Sequence, residues 1–203
     1  MFVVPLLTFS LATIPLDGKT LLTSKHLFAT HSRISLKRPA ELPLPLPQPS
    51  ASAILLAYYS NRQNYARVTT SVFRWYGTRR NGCVAFMSEA LRQSGYHVPL
   101  HEVLWGENVS LQVWGFARFL ESKKWLKIDN PKLVVAGDII FTHGTPQKPS
   151  RPAHVYLFAG WKDESRGTGW AIDNQGFTHK RNVHGRKDAF YTPMRFAYRA
   201  PKI

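Results

Sequence analysis

The spacing of apolar residues divides the chain into a helical part and a strand-rich part. Over residues 51–77, apolar positions recur every three or four residues, which predicts one or two helices. The same spacing over 81–95 predicts a helix with Asn81 as its N-cap and Gly95 as its stop. A further helix is expected over 108–125.

The pattern then changes from a helical period to short runs rich in β-branched and aromatic residues, each bounded by Gly, Pro or Asp. Four such runs predict strands: "KLVVAGDIIFTHG", "AHVYLFAGWKD", "GWAIDNQG" and "FYTPMRFAYRA". Helices first and strands second predict an α+β domain whose sheet is mostly antiparallel.

Residues 1–50 differ from the rest of the chain. The opening "MFVVPLLTFSLATIPLDG" lacks the basic residue that normally precedes the apolar core of a signal peptide, so it fits either an export signal or an extension without a targeting role. Pro5 and Pro15 interrupt an apolar run that is too short to cross a bilayer, and we predict no membrane span. The stretch "RPAELPLPLPQPSAS" favours an extended polyproline conformation and predicts a linker ahead of a folded domain at 51–203.

Composition supports one globular domain with an extension. Of the 203 residues, 44% are hydrophobic and 13% aromatic, which is more apolar material than disordered chains contain. Lys and Arg number 27 against 12 Asp and Glu, and this net charge of +15 predicts attraction to a polyanion such as nucleic acid, anionic lipid or an acidic cell-wall polymer. The basic residues are scattered and do not alternate with aromatic ones, so we expect no specific nucleic-acid recognition.

Cys83 is the only cysteine, so the chain has no internal disulfide and any special role belongs to a free thiol. Two interpretations apply: a small buried side chain that only fills space, or a nucleophile. The predicted position in the first turn of a helix favours the second, because the partial positive charge of the helix N-terminus stabilises a thiolate.

A nucleophilic thiol needs a base and the base needs an orienting partner. His154 opens the apolar run "HVYLFAGW" directly after a polar loop, which allows its ring to project from a sheet edge into a cleft; the alternative is an ordinary strand histidine. The following strand ends in Asp173 and Asn174, and either can accept a hydrogen bond from the imidazole. Alternation places Asn174 on the same face as the apolar Ile172 and Trp170, so we prefer Asn174.

This order of residues resembles the NlpC and CHAP cysteine peptidases and amidases, which share a papain-like fold. The segment "RWYGTRRNGCVAFMSEALRQSGY" looks like their "WGG…CSGLV" nucleophile region, "VVAGDIIFT" is similar to their "PGDLVFF" strand, and "AHVYLFAGW" resembles their "HVGIYLG". The Asp and Ser that flank the nucleophile in the NlpC group are replaced here by Gly82 and Val84, so the chain is not assigned to that subgroup.

The resemblance implies a cysteine hydrolase that acts outside the cytoplasm, secreted or periplasmic, on the amide bonds of peptidoglycan. Its partner would be peptidoglycan or another anionic cell-wall polymer; no immunity protein is identified from the sequence. Trp75 and Tyr76, just ahead of Cys83, are expected to line the substrate cleft. Two alternatives stay open: a thiol peptidase or deamidase that acts on a protein, and a non-catalytic basic binding module on the same scaffold.

We predict no cofactor and no metal site. His143, His179 and His184 could be combined with Asp188 as ligands, but these residues show no HxxxH, HExxH or CxxC spacing. Asp138, in a Gly-Asp turn that enters a strand, is expected to be structural.

Overall fold

The computed structural model describes residues 48–144, 148–185 and 193–201. The apolar extension and most of the predicted linker fall in residues 1–47, outside the described residues. Within the described residues, four α-helices come before all but the first two short strands. They are α1 (Ala51–Tyr59), α2 (Arg62–Trp75), α3 (Cys83–Gln93) and α4 (Val113–Ser122).

The described strands form one small hairpin and one six-stranded antiparallel sheet. The hairpin pairs β1 (Val103–Leu104) with β2 (Glu107–Asn108), so the helix predicted from residue 108 begins later, at Val113. The large sheet contains β3 (Leu126–Ile128), β4 (Ile139–Thr142), β5 (Val155–Asp163), β6 (Thr168–Asp173), β7 (Gly176–Asn182) and β8 (Met194–Arg199). Its order is β3-β8-β4-β5-β6-β7, and every pair is antiparallel.

This architecture confirms the predicted α+β class with a mostly antiparallel sheet. The four predicted strands correspond to β4, β5, β6 and β8. The hairpin, β3 and β7 were not predicted. Strands of two or three residues are too short to show an alternating pattern of apolar and polar residues, and β7 is mostly polar.

Both faces of the central sheet are buried. Val155 and Leu157 of β5 belong to the main core, which they share with α3. The intervening Tyr156 and Phe158 belong to a second cluster on the opposite face. This alternation follows from the two-residue period of a strand. Because both faces are buried, the apolar neighbours of a residue on β5 or β6 do not show which of the two faces its side chain lies on.

The start of α3 is set by Gly82 rather than by Asn81. The structure has Gly82 as the N-cap without a side-chain cap, and Asn81 precedes it with φ 56°. A side chain at position 82 would bring its Cβ within 3.1 Å of the carbonyl oxygen of Arg79 and 3.2 Å of the ring of Tyr76. The predicted N-cap is therefore wrong, because the approach of these neighbours selects glycine there. The helix stops as predicted at Gly95, whose φ of 95° suits glycine.

Candidate active site

Cys83 and His154 both line a cleft of about 410 Å³. The cleft is lined by Asn81, Cys83, Val113, Ala153, His154, Asn174, Gln175 and Arg181. Cys83 is the first residue of α3, and its thiol lies close enough to His154 to affect the pKa of the imidazole. His154 lies immediately before β5, where its carbonyl accepts a hydrogen bond from the N–H of Thr142 at 3.0 Å. Helix packing places the thiol and strand pairing fixes the backbone of the histidine.

The imidazole of His154 is oriented by Asp173, the last residue of β6. Its Nε2 donates to Oδ2 of Asp173 at 2.7 Å, and the carboxylate is fully buried. Because Nε2 is occupied, Nδ1 is the ring nitrogen that remains for the thiol of Cys83. The three side chains thus form a continuous chain from sulfur to carboxylate.

Asp173 accepts further hydrogen bonds on both of its oxygens. Oδ1 accepts from Nε2 of His179 at 2.9 Å and from the N–H of Gln175 at 2.7 Å, while Oδ2 also accepts from Nη2 of Arg181 at 2.8 Å. Burial would raise the pKa of Asp173, but the hydrogen bonds from the two histidines and the charge of Arg181 hold it well below its usual range. The carboxylate is therefore ionised at every pH at which the protein would work.

The same contacts act on His154. Burial lowers the pKa of its imidazole, but the hydrogen bonds to Asp173 and Cys83 outweigh burial and raise that pKa to about 9. A protonated imidazole beside the thiol favours the thiolate form of cysteine, which is the nucleophile.

The structure places Asn174 elsewhere than the sequence suggested. Its Nδ2 donates to the carbonyl of Arg79 at 2.8 Å and so ties the turn after β6 to the loop before α3. The preference for Asn174 over Asp173 as the partner of His154 was wrong because it assumed one buried face. Asp173 joins His154 and Arg181, both of which lie against the ring of Tyr156.

Trp75 and Tyr76 are not among the described residues that line the cleft. The hydroxyl of Tyr76 donates to the carbonyl oxygens of Arg80 and Asn81, each at 3.3 Å, and so braces the loop that leads to Cys83. Trp75 is partly buried, with the guanidinium of Arg92 at 5.5 Å from its ring centre. Tyr76 therefore supports the loop that leads to Cys83, and neither aromatic residue lines this cleft.

Three residues that surround Asp173 were not predicted to belong to a site with Cys83 and His154: Gln175, His179 and Arg181. Of these, His179 was considered only as a possible metal ligand. His179 and Arg181 stand two positions apart on β7, and hence on one face of the strand next to β6. That spacing is the available signal, but basic residues scattered along a chain do not indicate which of them are buried. Arg181 is in fact only 6% exposed.

Two negative findings apply to the described residues alone. In these ranges no group of three or more His, Cys, Asp or Glu side chains is arranged to hold a metal ion. No helix among them is long and apolar enough to cross a membrane. His143, His179 and His184 lie in the described chain, whereas Asp188 lies outside it.

Comparisons with protein-family models, with curated proteins and with solved structures each gave no match.

Proposed function

We propose that this protein is a cysteine hydrolase that cleaves amide bonds, with peptidoglycan as its substrate. One observation carries the proposal: Cys83, at the N-terminus of a helix, lines the same cleft as His154, whose imidazole is hydrogen-bonded to the buried carboxylate of Asp173. A nucleophile, a base and an orienter within hydrogen-bond reach of one another are what acyl transfer requires. Cys83 and His154 line one cleft, and Asp173 is not part of that lining.

In the reaction we propose, the thiolate of Cys83 attacks the carbonyl carbon of the amide and the carbonyl oxygen becomes an oxyanion. The N–H of Cys83 is at the first helical position, where it has no intrahelical acceptor, and it is available to donate to that oxyanion. Nδ1–H of His154 gives its proton to the leaving amine as the carbon–nitrogen bond breaks. A thioester remains on the sulfur.

Water completes the cycle. His154, now neutral, takes a proton from a water molecule whose oxygen attacks the thioester, and the carbon–sulfur bond breaks to release a carboxylic acid and the thiolate. Asp173 keeps its charge throughout and stabilises the imidazolium each time it forms. No cofactor takes part in this proposed sequence.

The substrate and the finer fold rest on the resemblance described for the sequence. The order of Cys83, the Gly-Asp strand, His154 and Asp173 along the chain is similar to that of the NlpC and CHAP hydrolases, which suggests a papain-like arrangement. The net charge of +15 suits an acidic cell-wall polymer outside the cytoplasm.

Purified cell walls incubated with the full chain test the proposal. Wild-type protein should release soluble fragments that carry new amino and carboxyl groups, and Cys83→Ala should release none while retaining its circular dichroism spectrum. His97→Ala, at an exposed histidine, is the matched control for His154→Ala and should keep wild-type activity. Equal release by wild type and Cys83→Ala would overturn the proposal. Cys83-dependent cleavage of proteins but not of cell walls would overturn only the choice of substrate.

A further inference from the structure

The guanidinium of Arg181 has hydrogen-bond donors that the fold does not use. Arg181 lines the cleft, and its Nη2 donates to Oδ2 of Asp173 at 2.8 Å and to Oε1 of Gln175 at 2.7 Å. Its Nε is buried without a partner, and its Nη1 makes no hydrogen bond to any described residue. A guanidinium has five N–H donors, so this one keeps several for a ligand.

The position of this group brings it next to the reacting atoms. Nη2 of Arg181 lies 3.0 Å from Nε2 of His154. Because Nε2 of the imidazole and Nη2 both carry hydrogen, the two nitrogens share Oδ2 of Asp173 as their acceptor rather than bonding to each other. The guanidinium therefore sits beside the imidazole at the floor of the cleft.

Arg181 is paired with the carboxylate of Asp173, which shares its single negative charge with His154 and His179. That carboxylate already accepts four hydrogen bonds, and the described residues that line the cleft include no Asp or Glu. The side-chain oxygen of Gln175 is occupied by Arg181, which leaves the amide N–H groups of Gln175 as donors. The electrostatics of the cleft thus favour an anionic, hydrogen-bond-accepting group.

We infer that Arg181 binds a carboxylate of the substrate close to the amide bond that Cys83 attacks. This inference rests on the proposed hydrolase function and adds a substrate preference to it. A planar guanidinium matches a carboxylate in both geometry and charge. An amide of the same size has the same shape as the carboxylate but carries no charge. The carboxylate can come from a chain end or from an acidic side chain, since both present the same two oxygens.

A purely structural role for Arg181, that of holding Asp173, makes a different prediction. Loss of an Asp173 anchor would slow the reactions of Cys83 with charged and neutral partners alike. Loss of a carboxylate site would slow only the charged partner. The two roles are therefore separated by the ratio of two rates and not by either rate alone.

Alkylation of Cys83 measures that ratio without requiring turnover. Iodoacetate and iodoacetamide differ by a carboxylate against an amide, and Cys83, the only cysteine in the chain, displaces iodide from either. The iodoacetate-to-iodoacetamide rate ratio should fall about tenfold in Arg181→Gln, an effect that corresponds to the loss of one favourable charge contact. Arg166→Gln is the matched control, because Arg166 is exposed in the turn between β5 and β6 and pairs with Asp163 at 3.4 Å. An unchanged ratio in Arg181→Gln, or an equal fall in the control, would overturn the inference.

A second variant keeps the test decisive if the glutamine variant does not fold. Arg181→Lys retains the charge but loses the fork, so the ratio should fall by at least about threefold. A wild-type ratio in that variant would count against carboxylate binding by the guanidinium.

Peptide substrates then identify the source of the carboxylate. Pairs of short peptides with a carboxylate or a carboxamide, either at the chain end or on the side chain next to the cleaved bond, should differ in kcat/KM in wild type and become equal in Arg181→Gln. The peptide pair with the larger difference in kcat/KM identifies whether the carboxylate belongs to a chain end or to a side chain. Absence of any turnover would contradict the proposed function, and the alkylation ratio would still decide the role of Arg181.

Discussion

The Nε2 atom of His154 lies 2.7 Å from Oδ2 of Asp173, and the two side chains are 11% and 0% exposed. Because burial makes an unpaired charge costly, this contact stabilises the imidazolium and fixes which ring nitrogen faces Cys83. The contact therefore determines both the protonation state of the imidazole and its orientation.

Asp173→Asn should show whether residue 173 acts on His154 through its charge and hydrogen bonding or only through the size of its side chain. An asparagine can keep the shape, but its amide can stabilise the wrong tautomer of His154 and carries no charge, so kcat should fall by roughly 10²–10⁴-fold. Asn174→Ala is the comparison, since it removes only the hydrogen bond to the carbonyl of Arg79, and kcat should fall by less than about tenfold. Initial rates of amide cleavage measure both. A larger loss in Asn174→Ala than in Asp173→Asn would contradict the assignment of Asp173 as the orienter.

The pH dependence of the rate should show an alkaline limb near pH 9. The pKa of His154 is raised to about 9, and the protonated imidazole is the form that gives its proton to the leaving amine, so kcat/KM should decrease as pH rises through that value. In Asp173→Asn the midpoint should move down toward about 6.5, the ordinary pKa of histidine, because the largest stabilising partner is gone. A wild-type midpoint that is already near 6.5 would show that Asp173 does not hold the proton on His154.

Asp138 provides a test of an acidic residue that is structural. It is fully buried, accepts two hydrogen bonds from the guanidinium of Arg199 at 2.8 Å, and lies outside the cleft. Asp138→Ala should lower the free energy of unfolding by about 1–3 kcal/mol, because it removes two charged hydrogen bonds but leaves a guanidinium that is 32% exposed and partly solvated. Urea titration measures the loss. The alkylation rate of Cys83 per folded molecule should stay at the wild-type value, and a selective loss of that rate would assign Asp138 to the site.

Local patterns in the sequence were sufficient for the helices and for two members of the site. The period of α3 and the apolar run after His154 are encoded by neighbouring residues, so the first turn of a helix and the first residue of a strand could be read without tertiary information. The order of helices and strands followed in the same way, and with it the α+β class.

The remaining features depend on contacts between distant residues. The choice between Asp173 and Asn174 depends on which face of β6 meets His154, and both faces are buried. The N-cap at Gly82 depends on the approach of Tyr76 and of the carbonyl of Arg79. Arg181 is buried only because β7 pairs with β6 and brings its charge to Asp173. None of these relationships leaves a periodic signal along the chain.

The reactivity of Cys83 at mildly acidic pH distinguishes an enzyme from a binding module on the same scaffold. At about pH 5.5 an ordinary thiol, with a pKa of about 8.5, is about 0.1% thiolate and reacts slowly with iodoacetamide. A thiol paired with the imidazolium of His154 should react at least about tenfold faster than free cysteine, even though Cys83 is only 6% exposed.

The histidine variants assign the cause of that reactivity. His154→Ala should return the rate of Cys83 to the ordinary value or below it, because the proton that stabilises the thiolate is lost, while His97→Ala, at an exposed histidine, should leave the rate unchanged. Mass spectrometry of the alkylated chain gives these rates directly, since only one site can react. A wild-type rate no faster than that of free cysteine, and insensitive to His154→Ala, would favour the non-catalytic binding module, because a thiol that its histidine does not activate cannot serve as the nucleophile.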